Sequence, residues 1–144
     1  MQLSRFSDYA VRTLIYLSTL DDGDLATVRE ISVAYNLSYN HLVKVVHRLS
    51  SLNIVKSKSG KHGGITLNAD PSTLKIGVLL RELEPSSDLL ECFSDDKDNC
   101  VISPVCRLKG HFKKAQNAFY DTLNNVSLEE ICSNKSELKA ILKT

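Results

Sequence analysis

The chain has 144 residues, of which 42% are hydrophobic and 24% charged, and its formal net charge is +1. A chain of this length can bury one core, and its composition excludes a collagen-like, wholly disordered or disulfide-packed protein. Because the net charge is nearly zero, only its distribution along the chain can indicate a polyanionic partner.

The first predicted helix covers residues 6–20, where apolar residues recur at spacings of two to four and form one broad face. The turn residues DDGD at 21–24 predict its end. A second helix is predicted to run to about Tyr35, because Thr27 and Glu30 have the spacing of a capping box at its start.

A third helix is predicted at residues 39–52, after Ser38, which is a favourable N-cap. Its apolar residues fall on one face, and its polar residues fall largely on the other. Two helices joined by about four residues, the second with a polar face, are typical of a helix-turn-helix. The side chains predicted to enter the major groove lie at the start of this helix: Ser38, Tyr39, Asn40, His41 and Lys44.

A β-hairpin is predicted next, with strands at 54–58 and 65–68 and three glycines in the turn between them. A hairpin directly after a helix-turn-helix is the winged-helix order. Residues 40–62 contain no Asp or Glu, which suits contact with phosphate or the minor groove. The wing residues predicted to bind DNA are Lys56, Lys58, Lys61 and His62. A solvated basic surface on a protein that never meets DNA is the alternative.

The second half of the chain is predicted to be mainly helical. One helix is expected from a cap near Ser72 to Pro85, and a long helix from Pro104 to about Asn125. Apolar residues recur along the long helix at steps of three or four, which favours packing against a second copy of the chain. They are Leu108, Phe112, Ala115, Phe119, Leu123 and Val126. Ser127 and Glu130 predict the cap of a terminal helix.

The predicted fold class is therefore mainly α, a winged helix-turn-helix with a small β-hairpin wing and a long C-terminal dimerisation helix. We assign 1–84 to the DNA-binding domain, 85–106 to a cysteine-rich segment, 104–126 to the dimerisation helix and 127–144 to a C-terminal helix.

The cysteine-rich segment contains Cys92, Cys100 and Cys106, separated by seven and five residues. No stretch approaches the roughly 18 apolar residues that span a bilayer, and Arg5, Asp8 and Arg12 interrupt the apolar positions that a signal peptide would need. We therefore expect a cytoplasmic protein with no membrane partner. Thiols stay reduced there, so metal binding is favoured over a disulfide.

Two kinds of metal centre remain open from the residues alone. Structural zinc needs four ligands, usually from two closely spaced pairs, whereas soft sulfur ligands at this wider spacing favour an iron–sulfur cluster. Cys132, in the terminal helix, is predicted to be a buried apolar thiol. No catalytic motif is present, so we predict that the chain is not an enzyme. The alternative is a small electron-transfer protein or redox enzyme in which the helix-turn-helix is only a packing motif.

Taken together, these motifs resemble the dimeric iron–sulfur winged-helix repressors that include NsrR, IscR and RirA. The opening helix, VREISVAYNLSYNHLVKVVHRL at 28–49 and GKHGGITL at 60–67 are similar to that family's first helix, helix-turn-helix and wing. The sequences LLECF at 89–93 and CVISPVCRLKG at 100–110 are most similar to its NsrR-like nitric-oxide sensors.

The resemblance implies that Cys92, Cys100 and Cys106 bind an iron–sulfur cluster. It also implies that Asp8 of the partner subunit, otherwise a first-turn acid that interacts with its helix dipole, supplies the fourth ligand. That ligand set implies [4Fe–4S], with [2Fe–2S] as the alternative. The IscR pattern has a histidine where Lys109 stands, which argues against an IscR-type site.

The function implied by the resemblance is that of a homodimeric repressor on a palindromic operator, released when nitric oxide damages the cluster. Two departures bear on this. The seven-residue gap after Cys92 matches the RirA iron sensors, so an iron or redox signal is one alternative. A zinc-stabilised DNA-binding protein without a sensing role is another. Ser59 and Thr66 stand where the family's wing has arginines, so Lys58 or Lys61 is expected to contact phosphate instead.

Overall fold

The computed structural model describes residues 3–84, 89–93 and 100–142. Within them it contains seven α-helices and one antiparallel two-stranded sheet, which confirms the predicted mainly helical, winged-helix class. The elements are α1 (Arg5–Thr19), α2 (Val28–Tyr35), α3 (Tyr39–Ser51), β1 (Val55–Lys58), β2 (Gly64–Leu67), α4 (Ile76–Leu83), α5 (Arg107–Asn124), α6 (Leu128–Ile131) and α7 (Lys135–Leu142). In the described part of the chain, no helix is both long enough and apolar enough to cross a membrane.

The core is built around α1, which contacts α3, α4, α6, α7 and β2. Its inner side chains Ala10 and Leu14 are fully buried. The helix begins at the N-cap Ser4, whose hydroxyl accepts a hydrogen bond from the backbone N–H of Ser7 at 3.2 Å. This central position allows α1 to connect the DNA-binding half of the chain with its C-terminal half.

The helix-turn-helix forms as predicted. The hydroxyl of Thr27 accepts from the backbone N–H of Glu30 at 3.2 Å, and the Glu30 carboxylate accepts from the N–H of Thr27 at 2.6 Å, which completes the capping box. Asn36 ends α2 in the left-handed conformation with φ of 51°, one of the few side chains that tolerate it. Ser38 is the N-cap of α3, although its side chain makes no capping hydrogen bond.

The wing consists of β1, β2 and the turn between them, with Val55 paired to Leu67 and Lys58 to Gly64. Ile65 also exchanges backbone hydrogen bonds with Ala26, at 2.7 and 3.0 Å, and this bridge fixes the wing to the segment before α2. At the turn, a Cβ on Gly63 would collide with the carbonyl oxygen of Lys58. The turn is therefore tight, and only glycine fits at that position.

The start of α4 was predicted wrongly. The capping residue is Lys75 and the helix begins at Ile76, because Ser72 donates from its N–H and its hydroxyl to Asp70 Oδ1 at 2.8 and 2.7 Å, within a turn. Lys75 itself is extended and forms a bridge with Ser127. The predicted end at Pro85 lies outside the described residues.

The start of the long helix was also predicted wrongly. Pro104 lies in a short 3₁₀ turn, Ser103–Val105, and α5 begins only at Arg107 because Cys106 has an extended backbone with ψ of 106°. The predicted terminal helix is two helices, α6 and α7. Its predicted cap is confirmed, since the hydroxyl of Ser127 accepts from the N–H of Glu130 at 3.2 Å.

Helices α4 and α5 cross with their backbones in close contact at Gly77. A Cβ at this residue would collide with the carbonyl oxygen of Tyr120 and with Asn124 Oδ1, and would lie 2.7 Å from the backbone nitrogen of Asn124. Asn124 Oδ1 is buried at this crossing and has no hydrogen-bond partner among the described residues. Gly77 thus sets the separation of the two helices that flank the cysteine-rich segment.

The apolar residues of α5 divide into two groups. Phe119, Leu123 and the following Val126 pack against the core, whereas Leu108 and Phe112 are 58% and 36% exposed. The preceding turn adds Val105, which is 81% exposed. One half of the predicted apolar face therefore holds α5 on the domain, and the other half is uncovered in the single chain.

We predict that Gly77→Ala lowers the free energy of unfolding by about 1–3 kcal/mol, because the added methyl forces α4 and α5 apart. The matched control is Gly110→Ala, also on a helix but with no atom within 4 Å of the added Cβ. The control should be neutral or stabilise by roughly 0.5–1 kcal/mol. Urea unfolding at one fixed protein concentration measures both, and equal effects of the two substitutions would contradict the prediction.

Candidate nucleic-acid interface and cysteine-rich segment

The recognition helix α3 buries one face and exposes the other. Leu42, Val45 and Leu49 are fully buried against the core. The residues predicted to read DNA are all exposed at or near its N-terminal end: Ser38, Tyr39, Asn40, His41 and Lys44. The structure therefore brings a phenol, an amide, an imidazole and an ammonium group together on one outward surface, which suits hydrogen bonding to base edges and phosphates.

Arg29 extends this surface, and sequence reasoning missed it. Its guanidinium carbon lies 5.4 Å from the centroid of the Tyr39 ring, across the turn of the helix-turn-helix. A guanidinium over a phenol ring restricts both side chains and keeps the positive charge at the entrance of α3. The feature of the sequence that could have indicated Arg29 is its position two residues after the cap Thr27, at the start of α2.

Arg5 is a second basic residue that sequence reasoning did not place here. A cavity of about 230 Å³ between α1 and α3 is lined by Arg5, Phe6, Tyr9, His41, Lys44 and Val45. The Tyr9 and His41 rings are 6.3 Å apart, centroid to centroid. The first turns of α1 therefore border the recognition surface and add a positive charge to it.

The predicted wing residues are all exposed. Lys56 and Lys58 lie two residues apart on β1, so they share a face of the strand, and Lys61 and His62 lie in the turn. Together they give the wing several positive charges, with no Asp or Glu between Asn40 and His62. This arrangement suits contact with the sugar–phosphate backbone.

The three cysteines of the cysteine-rich segment lie in different local settings. Cys92 is partly buried in the 3₁₀ turn Glu91–Phe93, Cys100 is exposed, and Cys106 is the partly buried N-cap of α5. Residues 94–99, which include three of the segment's aspartates, lie outside the described residues.

These thiols fit an iron–sulfur cluster by their donor chemistry. Soft thiolates select iron–sulfur clusters, and a four-iron cluster takes about one thiolate per iron, so its cysteines need not share a single ion. Across residues 3–84, 89–93 and 100–142, no three His, Cys, Asp or Glu side chains form a group that could hold one metal ion. A single-ion site is thus not assembled within the described part of one chain.

Asp8 lies in the first turn of α1, as predicted, and is bound to Arg12. Its Oδ1 accepts from Arg12 Nε at 2.9 Å, and this hydrogen bond raises the pKa of Arg12. The guanidinium carbon of Arg12 also lies 5.9 Å from the ring centroid of Tyr35, whose pKa burial raises to about 12. Asp8 is 43% exposed, so its carboxylate remains accessible to another molecule.

Cys132 is buried, as predicted for an apolar thiol. Burial raises its pKa, against smaller opposite effects of the Ser18 hydroxyl and the Lys135 charge. A thiol that is buried and protonated is a poor metal ligand, because ligands must lose their protons. This distinguishes Cys132 from the other three cysteines.

Two contacts hold the end of α4, directly before the cysteine-rich segment in the sequence, against α1 and α3. The backbone N–H of Ser4 donates to Glu84 Oε1 at 2.7 Å, and Arg48 Nη2 of the recognition helix donates to the carbonyl oxygen of Glu82 at 3.2 Å. Burial would raise the pKa of Glu84, but hydrogen bonds from Ser7 and Ser4 prevail and lower it. These residues were not identified from the sequence.

Comparison with a family model matches residues 3–134 to Rrf2, described as an iron-dependent transcriptional regulator. A protein of Oceanobacillus iheyensis named HTH-type transcriptional regulator NsrR is 42% identical over 142 residues, which cover 99% of this chain and 97% of that protein. A protein of the same name from Halalkalibacterium halodurans is 37% identical over 143 residues, covering 99% and 98%.

Comparison with solved structures supports the fold alone. The structure of T. potens IscR superposes with a TM-score of 0.74 at 20% identity, and the alignment covers 93% of this chain and 88% of that one. The fold described above therefore occurs in a solved structure.

We predict that Lys58→Met and Arg29→Met each weaken binding to duplex DNA of any sequence. Each removes one charge that can neutralise a phosphate. The slope of the logarithm of the association constant against log[salt] is negative, and its magnitude should decrease by about one. Lys114→Met, at an exposed lysine of α5 away from the wing, is the matched control and should leave the slope unchanged. Anisotropy titrations at several salt concentrations measure the slopes, and unchanged slopes for both variants would contradict the interface.

Proposed function

Because this chain belongs to the Rrf2 family of transcriptional regulators, we propose that it is a homodimeric cytoplasmic repressor that requires an iron–sulfur cluster to bind its operator. The signal that ends repression is nitric oxide. The observation that carries the proposal is the placement of three cysteines in the segment between a winged helix and a helix that exposes apolar side chains.

Operator binding is supported by the recognition surface of α3 and the basic wing. A dimer presents two such surfaces, and a palindromic operator presents half-sites about one helical turn, roughly 34–36 Å, apart. Affinity therefore depends steeply on the separation of the two recognition helices. A change that moves them by a small distance is sufficient to release the DNA.

Dimerisation is supported by the uncovered half of α5. Leu108 and Phe112 lie one helical turn apart on the same face, and Val105 and Ile102, 81% and 60% exposed, precede them. Apolar side chains concentrated in one exposed segment are typical of a protein interface. A second copy of α5 would cover them, which supports the proposal that 104–126 is the dimerisation helix.

The proposed ligands are Cys92, Cys100 and Cys106 of one chain with Asp8 of the partner subunit, a set that suits [4Fe–4S]; [2Fe–2S] is the alternative. When bound, the cluster supplies iron with which nitric oxide reacts. The role of the protein is to hold the thiols and to transmit a change in their position to the recognition helix. Glu84, the C-cap of α4, binds the N-cap residue of α1, and Arg48 connects the recognition helix to the end of α4.

A second candidate signal is iron supply or redox state. Two observations favour it: the seven-residue gap between Cys92 and Cys100, and the description of the matching family as iron-dependent. The fold, ligands and operator binding are the same in both candidates. They differ in which reagent releases the DNA.

The decisive experiment titrates anaerobic, cluster-loaded protein with nitric oxide, oxygen or an iron chelator while a gel shift follows binding to the DNA upstream of its own gene. Release by stoichiometric nitric oxide at a concentration where chelator has no effect supports the nitric-oxide proposal. Equal release by chelator and nitric oxide supports the iron sensor instead. Colourless, iron-free protein after reconstitution would overturn both and leave a zinc-stabilised or metal-free DNA-binding protein.

We predict that Cys92→Ala abolishes cluster assembly and cluster-dependent DNA binding together, because one of three thiolate ligands is lost. Cys132→Ala is the matched control, since that thiol is buried in the terminal helices and should leave the iron content unchanged. Iron and sulfide quantification with visible absorbance measures both. A full cluster in Cys92→Ala protein would contradict the ligand assignment.

A further inference from the structure

The turn between Cys100 and Cys106 is folded around one buried side chain. The backbone N–H of Ser103 donates to the carbonyl oxygen of Cys100 at 2.9 Å, and the N–H of Cys106 donates to the carbonyl of Ser103 at 3.4 Å. Ser103 is 8% exposed, while the neighbouring Val101 is 95% exposed. The serine therefore lies on the inner side of the turn that carries two of the three thiols.

Lys109 of α5 reaches back to this serine. Its Nζ donates to Ser103 Oγ at 2.9 Å, six residues along the chain. The contact attaches the turn to the first turn of α5. It also brings an ammonium charge beside the segment that carries Cys100 and Cys106.

Lys113 holds the other end of the cysteine-rich segment. Its Nζ lies 5.4 Å from the centroid of the Phe93 ring, next to Cys92, and also donates to Gln116 Oε1 at 3.3 Å. Lys109 and Lys113 are four residues apart and so lie on one face of the helix. One side of α5 thus contacts both of the described pieces of the segment, at 89–93 and at 100–106.

Every charged side chain between residues 100 and 120 is basic. Residues 100–120 contain Arg107, Lys109, His111, Lys113 and Lys114 and no Asp or Glu. Thiolates bound to a cluster with its sulfides make a centre of net negative charge, and fixed positive groups close to such a centre raise its reduction potential and its stability.

On the basis of the function proposed above, we infer that Lys109 and Lys113 are positioning residues of the cysteine site. Lys109 fixes the turn between Cys100 and Cys106 through Ser103, Lys113 fixes Phe93 beside Cys92, and both ammonium groups offset the negative charge of the thiolates. The site therefore depends on residues that do not themselves bind iron.

The test compares Lys109→Met and Lys113→Met with Lys114→Met, which removes an adjacent exposed lysine, and with Lys109→Arg, which keeps the charge. In loaded protein, each of the first two variants should lose iron to a chelator about tenfold faster than wild type. Each should also show a more negative midpoint potential. Lys114→Met should match wild type, and Lys109→Arg should restore the potential.

A measurement on the metal-free chain tests the contact with Ser103 without the cluster. Hydrogen–deuterium exchange at the amides of Ser103 and Cys106 should be faster in Lys109→Met than in wild type or Lys114→Met. If wild type, Lys109→Met and Lys113→Met lose iron at equal rates and share one midpoint potential, the inference is overturned while the proposed function stands. If wild type takes up no cluster, the proposed function itself fails, and the inference fails with it.

Discussion

The close contact between α4 and α5 at Gly77 is the constraint on which the packing of the C-terminal half of the chain depends. It is reinforced by the backbone hydrogen bond from Ile76 N–H to the Val126 carbonyl at 3.0 Å, and by that from Leu128 N–H to the Leu74 carbonyl, also at 3.0 Å. The contact joins the start of α4 to the end of α5, and the cysteine-rich segment connects the opposite ends of the same two helices. In the first half of α5, Leu108 and Phe112 remain exposed.

The parts of the fold that depend on local signals were predictable from the sequence. The capping box of Thr27 and the apolar period of α3 act within a few residues, so the helix-turn-helix was predicted with small errors at its boundaries. The starts of α4 and α5 were not predictable in this way. Ser72 satisfies Asp70 in a turn, and Lys75 is held extended by its bridge to Ser127, more than 50 residues away along the chain.

The candidate site shows the same division. Residue type and spacing were sufficient to select the three cysteines and the basic residues of the wing, and a resemblance selected Asp8. Arg29, Glu84, Lys109 and Lys113 were missed, because each acts on a residue that only the folded chain brings near. The net charge of +1 conceals this organisation, since basic residues are concentrated near the DNA-binding surface and along the first half of α5.

The tight turn of the wing has a practical consequence for redesigning how tightly the wing holds the phosphate backbone of DNA. Gly63 cannot accept any side chain without moving the Lys58 backbone, and Gly60 holds a φ of 114° that other residues rarely adopt. Lys61 and His62 are exposed between them and carry no such restriction. A randomised library aimed at the wing should therefore vary these two positions and retain both glycines, which reduces the search to 400 variants, the square of the roughly 20 amino-acid types.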